Sequence, residues 1–278
     1  MSHRISAIIL NYKHSNDTIS CIEALKKSDA GKEIDYYIVD NSPDKTIEAK
    51  FKKLFPGINY ISSSTNVGFA AGNNKAIRKI LKTDSEYILI INPDVTIGHD
   101  FFVPLLKHFA DKEVGIVAPA IYHTQKGKKI FGLEGQVNWK YAKPEHRNLS
   151  SVKNLNPIIS EFVTFACALI STDTFKKSGL LDEGYFMYFE DVDYCLTAGR
   201  AGKKIILDPT VVVAHETSSS FSRPTQKLFI SFKSHFHFIN KWLNLTKRFI
   251  PYLFALINYP YLYILWTYHG IKYNHGKR

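Results

Sequence analysis

Cysteine is scarce in this 278-residue chain. Cys21, Cys167 and Cys195 are the only three, far apart and without metal-ligand spacing. That argues against a thiolate metal site and suits buried thiols in a reducing compartment. No glycine-rich G-x-G-x-x-G follows the first apolar run, Ile5 to Leu10, and no Walker-type loop occurs anywhere. NAD enzymes and P-loop nucleotidases are set aside by those two absences. The first apolar run ends at Asn11, too short for a signal peptide. Acid is missing from one region altogether: Phe221 to Arg278 holds no Asp or Glu, but nine Lys or Arg and 15 of the chain's 38 aromatic residues. The first 220 residues carry 27 basic side chains against 25 acidic ones, so most of the net charge of +11 sits in the last fifth. A near-neutral body and a basic, aromatic tail imply two regions with different partners. No RNA-binding signature accompanies the tail, and nucleic acid is not expected.

What is present is alternation. "ISAIIL" (5–10), "DYYIVD" (35–40), "INYIS" (58–62), "EYILIIN" (86–92) and "GIVAPA" (115–120) have the apolar character of buried strands. Residues 15–27, 45–55, 69–82 and 100–110 between them have helical periodicity. This pattern predicts an α/β fold with a mainly parallel central sheet and crossover helices. Residues 124–156 are polar, with scattered Gly, Lys and Pro, and are expected to form long loops or a short hairpin over the active face. A strand pair is expected around "KIILDPTVVVAHE".

Ligands of such sheets bind where loops leave the carboxyl ends of the strands. Those positions here are Asn11-Tyr12, Asp40-Asn41-Ser42, the stretch "STNVGFAAGNN" (64–74) and Asn92-Pro93-Asp94. A carboxylate such as Asp94 at that edge can hold Mg²⁺ or Mn²⁺ on a phosphate, although Asn-Pro-Asp is also ordinary turn chemistry. Asp40 suits an Asx turn equally well. His215 closes an apolar strand, and a lone histidine gains functional weight only if it faces Asp94. Further on, "YFMYFEDVDYC" packs Glu190, Asp191 and Asp193 behind an aromatic run. Three acids there mark a helix start, or a catalytic carboxylate beside an aromatic wall.

The stretches "AIILNYK", "YIVDNS", "TNVGFAAGNN", "ILIINPDV", "FMYFEDVDYCLTAGRAGKKIILDP" and "VVAHETSSS", in this order over roughly residues 5–220, settle between these readings. The chain resembles the inverting family 2 glycosyltransferases with the GT-A fold, and within them the bacterial rhamnosyltransferase-like branch of surface polysaccharide synthesis. The resemblance implies that Asp40, Asn11, Tyr12, Asn66, Gly68, Asn73 and Asn92 bind the nucleotide-sugar. It implies that Asp94 and His215 hold Mg²⁺ or Mn²⁺, that Asp191 is the catalytic base, and that Tyr188 and Glu190 lie on the acceptor side. The helix N-terminus is expected to keep Asp191 ionised. Asn92 stands where the family's Asp-x-Asp signature has its first acid, so a single carboxylate is offered there. "ETSSS" follows the histidine where the family has a glycine-containing stretch. The Gln-x-x-Arg-Trp motif of processive synthases is missing, which implies one sugar, or a few, added per acceptor.

The implied donor is dTDP-L-rhamnose, with a UDP-hexose or UDP-N-acetylhexosamine as alternative, and the implied acceptor is a lipid-linked glycan. A nucleotidyltransferase and an inactive sugar- or membrane-binding module are the competing classes. Residues 1–220 are expected to form the catalytic domain and 221–278 a helical tail. That tail is expected to attach peripherally to the inner face of the cell membrane, a homo-oligomer contact being the other use of its aromatics. Pro251, Asn258 and Pro260 are expected to interrupt its apolar stretch, 248–266.

Overall fold

The computed structural model describes residues 4–30, 34–42, 45–215 and 224–275. Strands β1 (Ile5–Asn11), β2 (Ile34–Asp40), β3 (Asn59–Ser62) and β4 (Tyr87–Ile91) run parallel, in the order β3-β2-β1-β4. Their crossovers carry helices α1 (Ser15–Lys26), α2 (Lys45–Leu54) and α3 (Phe69–Ile80). All five residues of β4 are buried, as a strand covered on both faces requires. Register aligns the carboxyl ends: Asn11 lies opposite Asp40, and Ile9 opposite Ile91.

The second half extends the sheet in mixed sense. After the short β5 (Val95–Thr96) come α4 (Phe102–Lys107), a 3-10 turn over His108–Ala110, and β6 (Val114–Gln125). The helix expected over 100–110 is therefore divided. Next come β7 (Lys128–Asn138), β8 (Lys143–Leu149), β9 (Ile158–Ile159) and β10 (Cys167–Ser171), the last inserted antiparallel between β4 and β6. Helices α5 (Thr172–Ser178) and α6 (Glu190–Arg200) precede β11 (Lys204–His215). An apolar core lies on each face of this sheet, and all three cysteines are buried. Burial, with the Asp94 charge adding to it, pushes the Cys21 thiol up to about 12.

Two expectations change here. Residues 128–149 form a long antiparallel hairpin, β7–β8, whose second strand is largely exposed. Weak alternation in that strand left no strand signal to read. The "KIILDPTVVVAHE" segment is one strand with an irregularity between Asp208 and Val212, not a pair. Pro209 cannot donate to a ladder, and Asp208 turns inward there. It accepts from the Thr210 amide at 2.9 Å and the His108 imidazole at 2.7 Å.

The expected boundary after residue 220 lies outside the described residues. Beyond it, α7 (Pro224–Trp242) packs against the body, and α8 (Phe249–His275) follows. Ser234 donates to the Met187 carbonyl at 2.8 Å, and His235 to the Tyr141 carbonyl at 3.0 Å. Phe189 stacks on His235, with ring centroids 5.2 Å apart. Lys241 donates to Asp182 and Asp193 at 2.7 and 2.8 Å, and the Trp242 indole to Asp193 at 2.7 Å. Burial pushes Asp182 upward, but Lys241, the Gly184 amide and His237 together hold it down at about 2. Helix α8 is unbroken at Pro260. A proline inside a helix forgoes one intrahelical hydrogen bond, and here that does not end the helix.

Trp242→Ala removes a donor from buried Asp193 and the indole's packing on Phe238. The expected loss of unfolding free energy is about 2–4 kcal/mol, read from the urea midpoint at unchanged slope. A loss below about 0.5 kcal/mol, the level of an ordinary surface substitution, would show that α7 merely lies against the body.

Candidate active site

At the carboxyl ends of β1 and β2, Asp40 is buried and its oxygens are fully engaged. One accepts from Asn11 Nδ2 at 2.9 Å, the Ser42 amide at 2.9 Å and the Ser42 hydroxyl at 2.6 Å; the other accepts from the Tyr60 hydroxyl at 2.5 Å. Asn11 is fully buried and receives the Thr18 hydroxyl on Oδ1 at 2.9 Å. Asn11 and Asp40 thus brace this edge from beneath, and Tyr60 covers the outer oxygen of Asp40. Tyr12 is half-buried above them.

The 64–74 loop is tied to the same edge. Asn41 Nδ2 donates to Asn66 Oδ1 at 3.2 Å and to the Gly68 carbonyl at 3.0 Å, and Asn66 also accepts from the Gly68 amide at 3.0 Å. Lys75, which the sequence did not single out, brings a cation here through Ser63 Oγ at 2.7 Å. Gly68 has φ +86°, and a Cβ on it would lie 2.3 Å from the Phe186 carbonyl oxygen. Only glycine permits both the left-handed backbone and that approach. Asn73 was expected to border the nucleotide, but it is fully buried and spends Nδ2 on the Phe69 carbonyl at 2.9 Å. It shapes α3 and cannot line an open pocket.

Strand β4 delivers Asn92-Pro93-Asp94, and β5 pairs antiparallel with the end of β11, Val95 opposite His215. That pairing sets His215 Nε2 3.1 Å from Asp94 Oδ1, with side-chain exposures of 22% and 13%. One carboxylate and one imidazole, both reachable from solvent, fit Mn²⁺, which accepts mixed N and O donors more readily than Mg²⁺ does. Two protein donors leave the remaining positions for phosphate oxygens and water. Among the described residues no group of three or more His, Cys, Asp or Glu side chains could hold a metal, so the fit depends on oxygens from a ligand.

The acid-rich turn differs from expectation. Tyr188 and Phe189 both sit in the left-handed region, φ +69° and +70°. Such φ is strained for bulky side chains and clusters at functional sites. Tyr185 and Phe189 are buried, Tyr185 donating to Asp193 at 3.2 Å. They are core, not wall, so the expected aromatic platform shrinks to the half-buried Phe186, Met187 and Tyr188. Burial, then the nearby Glu190, pushes the Tyr188 hydroxyl up to about 12.

The acids divide by environment. Asp193 is buried and structural. Glu190 is also buried, its Oε2 has no hydrogen-bond partner, and burial followed by the Asp191 charge raises its pKa well above the carboxylate range. Asp191 is half-buried. Burial raises it too, against the expectation that the helix end alone would keep it ionised. The Val192 amide at 2.8 Å, His146, the Phe165 amide at 3.4 Å and the Thr164 hydroxyl pull it back. Paired carboxyls whose surroundings push them apart separate a neutral acid from a usable base. His146 and Thr164 were missed by the sequence reading. Segment 164–166 also joins the two centres, since the Asn92 amide donates to the Ala166 carbonyl at 2.8 Å.

The chain is 26% identical over 245 residues to a low-salt glycan biosynthesis hexosyltransferase of Haloferax volcanii, covering 84% of this chain and 74% of that one. It is 26% identical over 232 residues to the rhamnosyltransferase WbbL of Escherichia coli, covering 77% and 85%. With the N-acetylglucosaminyl-diphospho-decaprenol L-rhamnosyltransferase of Mycobacterium tuberculosis it shares 24% over 227 residues, 73% of each chain. Among solved structures, GalNAc-T7 with UDP, GalNAc and Mn²⁺ superposes with a TM-score of 0.69 at 13% identity, over 88% of this chain but only 49% of that one. The mannosyltransferase PcManGT of Pyrobaculum calidifontis, solved with GDP-Man and Mn²⁺, gives 0.61 at 12% identity, over 94% and 72%. The fold is therefore of GT-A type. Residues 6–179, more than half of the chain, match Glycosyl transferase family 2, and the chain belongs to that family, resembling its rhamnosyltransferase-like branch.

Proposed function

We propose that this glycosyltransferase inverts configuration, depends on a divalent cation, and moves L-rhamnose from dTDP-L-rhamnose onto a lipid-linked glycan. The observation that supports this most is the meeting, at one sheet edge, of the Asp94–His215 pair with the accessible carboxyl of Asp191 across segment 164–166. Relatives named for rhamnosyl transfer favour this donor over a UDP-hexose or UDP-N-acetylhexosamine.

Asp191 takes the proton of the acceptor hydroxyl as its oxygen attacks the anomeric carbon. The bond from that carbon to the diphosphate breaks, and the nucleoside diphosphate leaves from the opposite face. Base assistance of this kind contributes about 10² to 10⁴ in rate. Asp94 and His215 would hold the cation, which when bound supplies charge neutralisation for the leaving diphosphate. Lys75 and the 66–68 turn fix the nucleotide side, and Tyr188 faces the acceptor. Release of a nucleoside diphosphate, not pyrophosphate, separates this activity from a nucleotidyltransferase.

Helix α8 supports attachment to a membrane surface on the cytoplasmic side. Phe249–Tyr268 averages a hydropathy of 1.3 with 11% of it buried, and among the described residues it is the one helix long and apolar enough to cross a membrane. Lys247 and Arg248 precede it and Lys272 lies beyond it, which suits anionic headgroups at about 1 kcal/mol per cation.

Asp191→Asn is expected to lower kcat by at least about 10² while nucleotide binding persists, and Glu190→Gln to retain most activity. Asp191 works ionised and is raised by burial, so the acid limb of kcat/KM should lie above the ordinary carboxylate range. Near-normal turnover by Asp191→Asn would move the base elsewhere. EDTA should abolish wild-type transfer with Mn²⁺ restoring it, and Asp94→Ala should not respond to Mn²⁺; full activity in EDTA sinks the metal assignment. Full-length protein should sediment with anionic liposomes and be released by salt, whereas a chain ending at Thr246 should stay in solution and keep α7. Light scattering on both chains shows whether α8 joins subunits instead.

A further inference from the structure

A cavity of about 570 Å³ lies between β6, the β7–β8 hairpin and Val163–Thr164. Its buried lining is apolar, with Pro119, Leu133, Val163 and Leu207, and its exposed lining carries Lys143, Glu145, His146 and Asn148. An apolar buried lining beside a polar exposed one matches a pyranose, which offers a C–H face and an edge of hydroxyls. One wall is the Asp191 neighbourhood itself, since Thr164 bonds that carboxyl and His146 lies within its electrostatic reach.

The hairpin is built to hold His146 still. Its Nδ1 is 3.2 Å from the Leu133 carbonyl, and its ring meets Phe162 edge-on at 4.8 Å. Phe162 cannot shift, because it exchanges hydrogen bonds with Gly135, where a Cβ would lie 2.3 Å from the phenyl ring. Nδ1 must carry the proton to reach a carbonyl. Nε2 is the nitrogen that remains for a ligand hydroxyl, as acceptor from the neutral ring or donor from the charged one.

We infer that this cleft receives the terminal sugar of the acceptor and that His146 is a positioning residue, its Nε2 hydrogen-bonded to a sugar hydroxyl next to the one that Asp191 deprotonates. This rests on the reading of Asp191 as base. Transfer is measured with dTDP-L-rhamnose and short-chain prenyl diphosphate monosaccharides, alongside slow donor hydrolysis without acceptor. His146→Ala should raise the acceptor KM by about tenfold, the worth of one hydrogen bond, and leave the donor KM unchanged, with residual donor hydrolysis showing that the variant is folded. Asn148→Ala on the same exposed lining should raise the acceptor KM by a smaller factor, and it decides the matter if His146→Ala does not fold. An unchanged acceptor KM in both variants overturns the inference, as does an equal rise in donor KM. Failure of the base assignment shows separately, as transfer that survives Asp191→Asn.

Discussion

Asp193 accepts from Tyr185, Trp242 and Lys241 while almost wholly shielded from water. A charge in that position is tolerable only while its partners stay, and removing one partner of a buried pair typically costs about 3–5 kcal/mol. One donor comes from the segment just before α6 and two from the end of α7. Their convergence fixes α7 against the 182–193 segment, and with it the place of the two acids that open α6. Without it, the left-handed turn at Tyr188 and Phe189 would relax, since each such residue costs of order 1–3 kcal/mol. Phe189 is held in that turn by the rings of His235 and Phe238.

From there the constraint spreads to the 64–74 loop. The Phe186 carbonyl accepts from the Phe69 amide at 2.7 Å, directly over Gly68. The loop that begins α3 and the turn that begins α6 therefore share one close contact. Asn74 strengthens it by donating to the Leu181 carbonyl and to Glu183. The 66–68 turn and the turn at Tyr188 and Phe189 move together or not at all.

Much of the fold was legible because buried parallel strands leave continuous apolar runs. Ile5–Asn11, Ile34–Asp40, Asn59–Ser62 and Tyr87–Ile91 lie within a residue or two of where those runs placed them. Polar residues that close those runs stood out for the same reason, at the carboxyl edge of the parallel strands. The hairpin was not, because β8 is exposed nearly throughout and has no buried face to impose a period. His146 was invisible since its value comes from Phe162 and Asp191, which are distant in sequence. Asp40 looked open for a ligand because its cover, Tyr60, stands on another strand. Proline and asparagine in the tail looked like interruptions, yet α8 continues through them.

The grip of α7 on the acid-rich turn also bears on how such chains recombine. In this chain the crossover point would have to fall after Trp242, or else carry Asp182, Tyr185 and Asp193 along with the new helix. A graft made between β11 and α7 would have to bring its own donors for the buried Asp193 carboxylate. Helix α7 and the acid-rich turn are a single heritable unit.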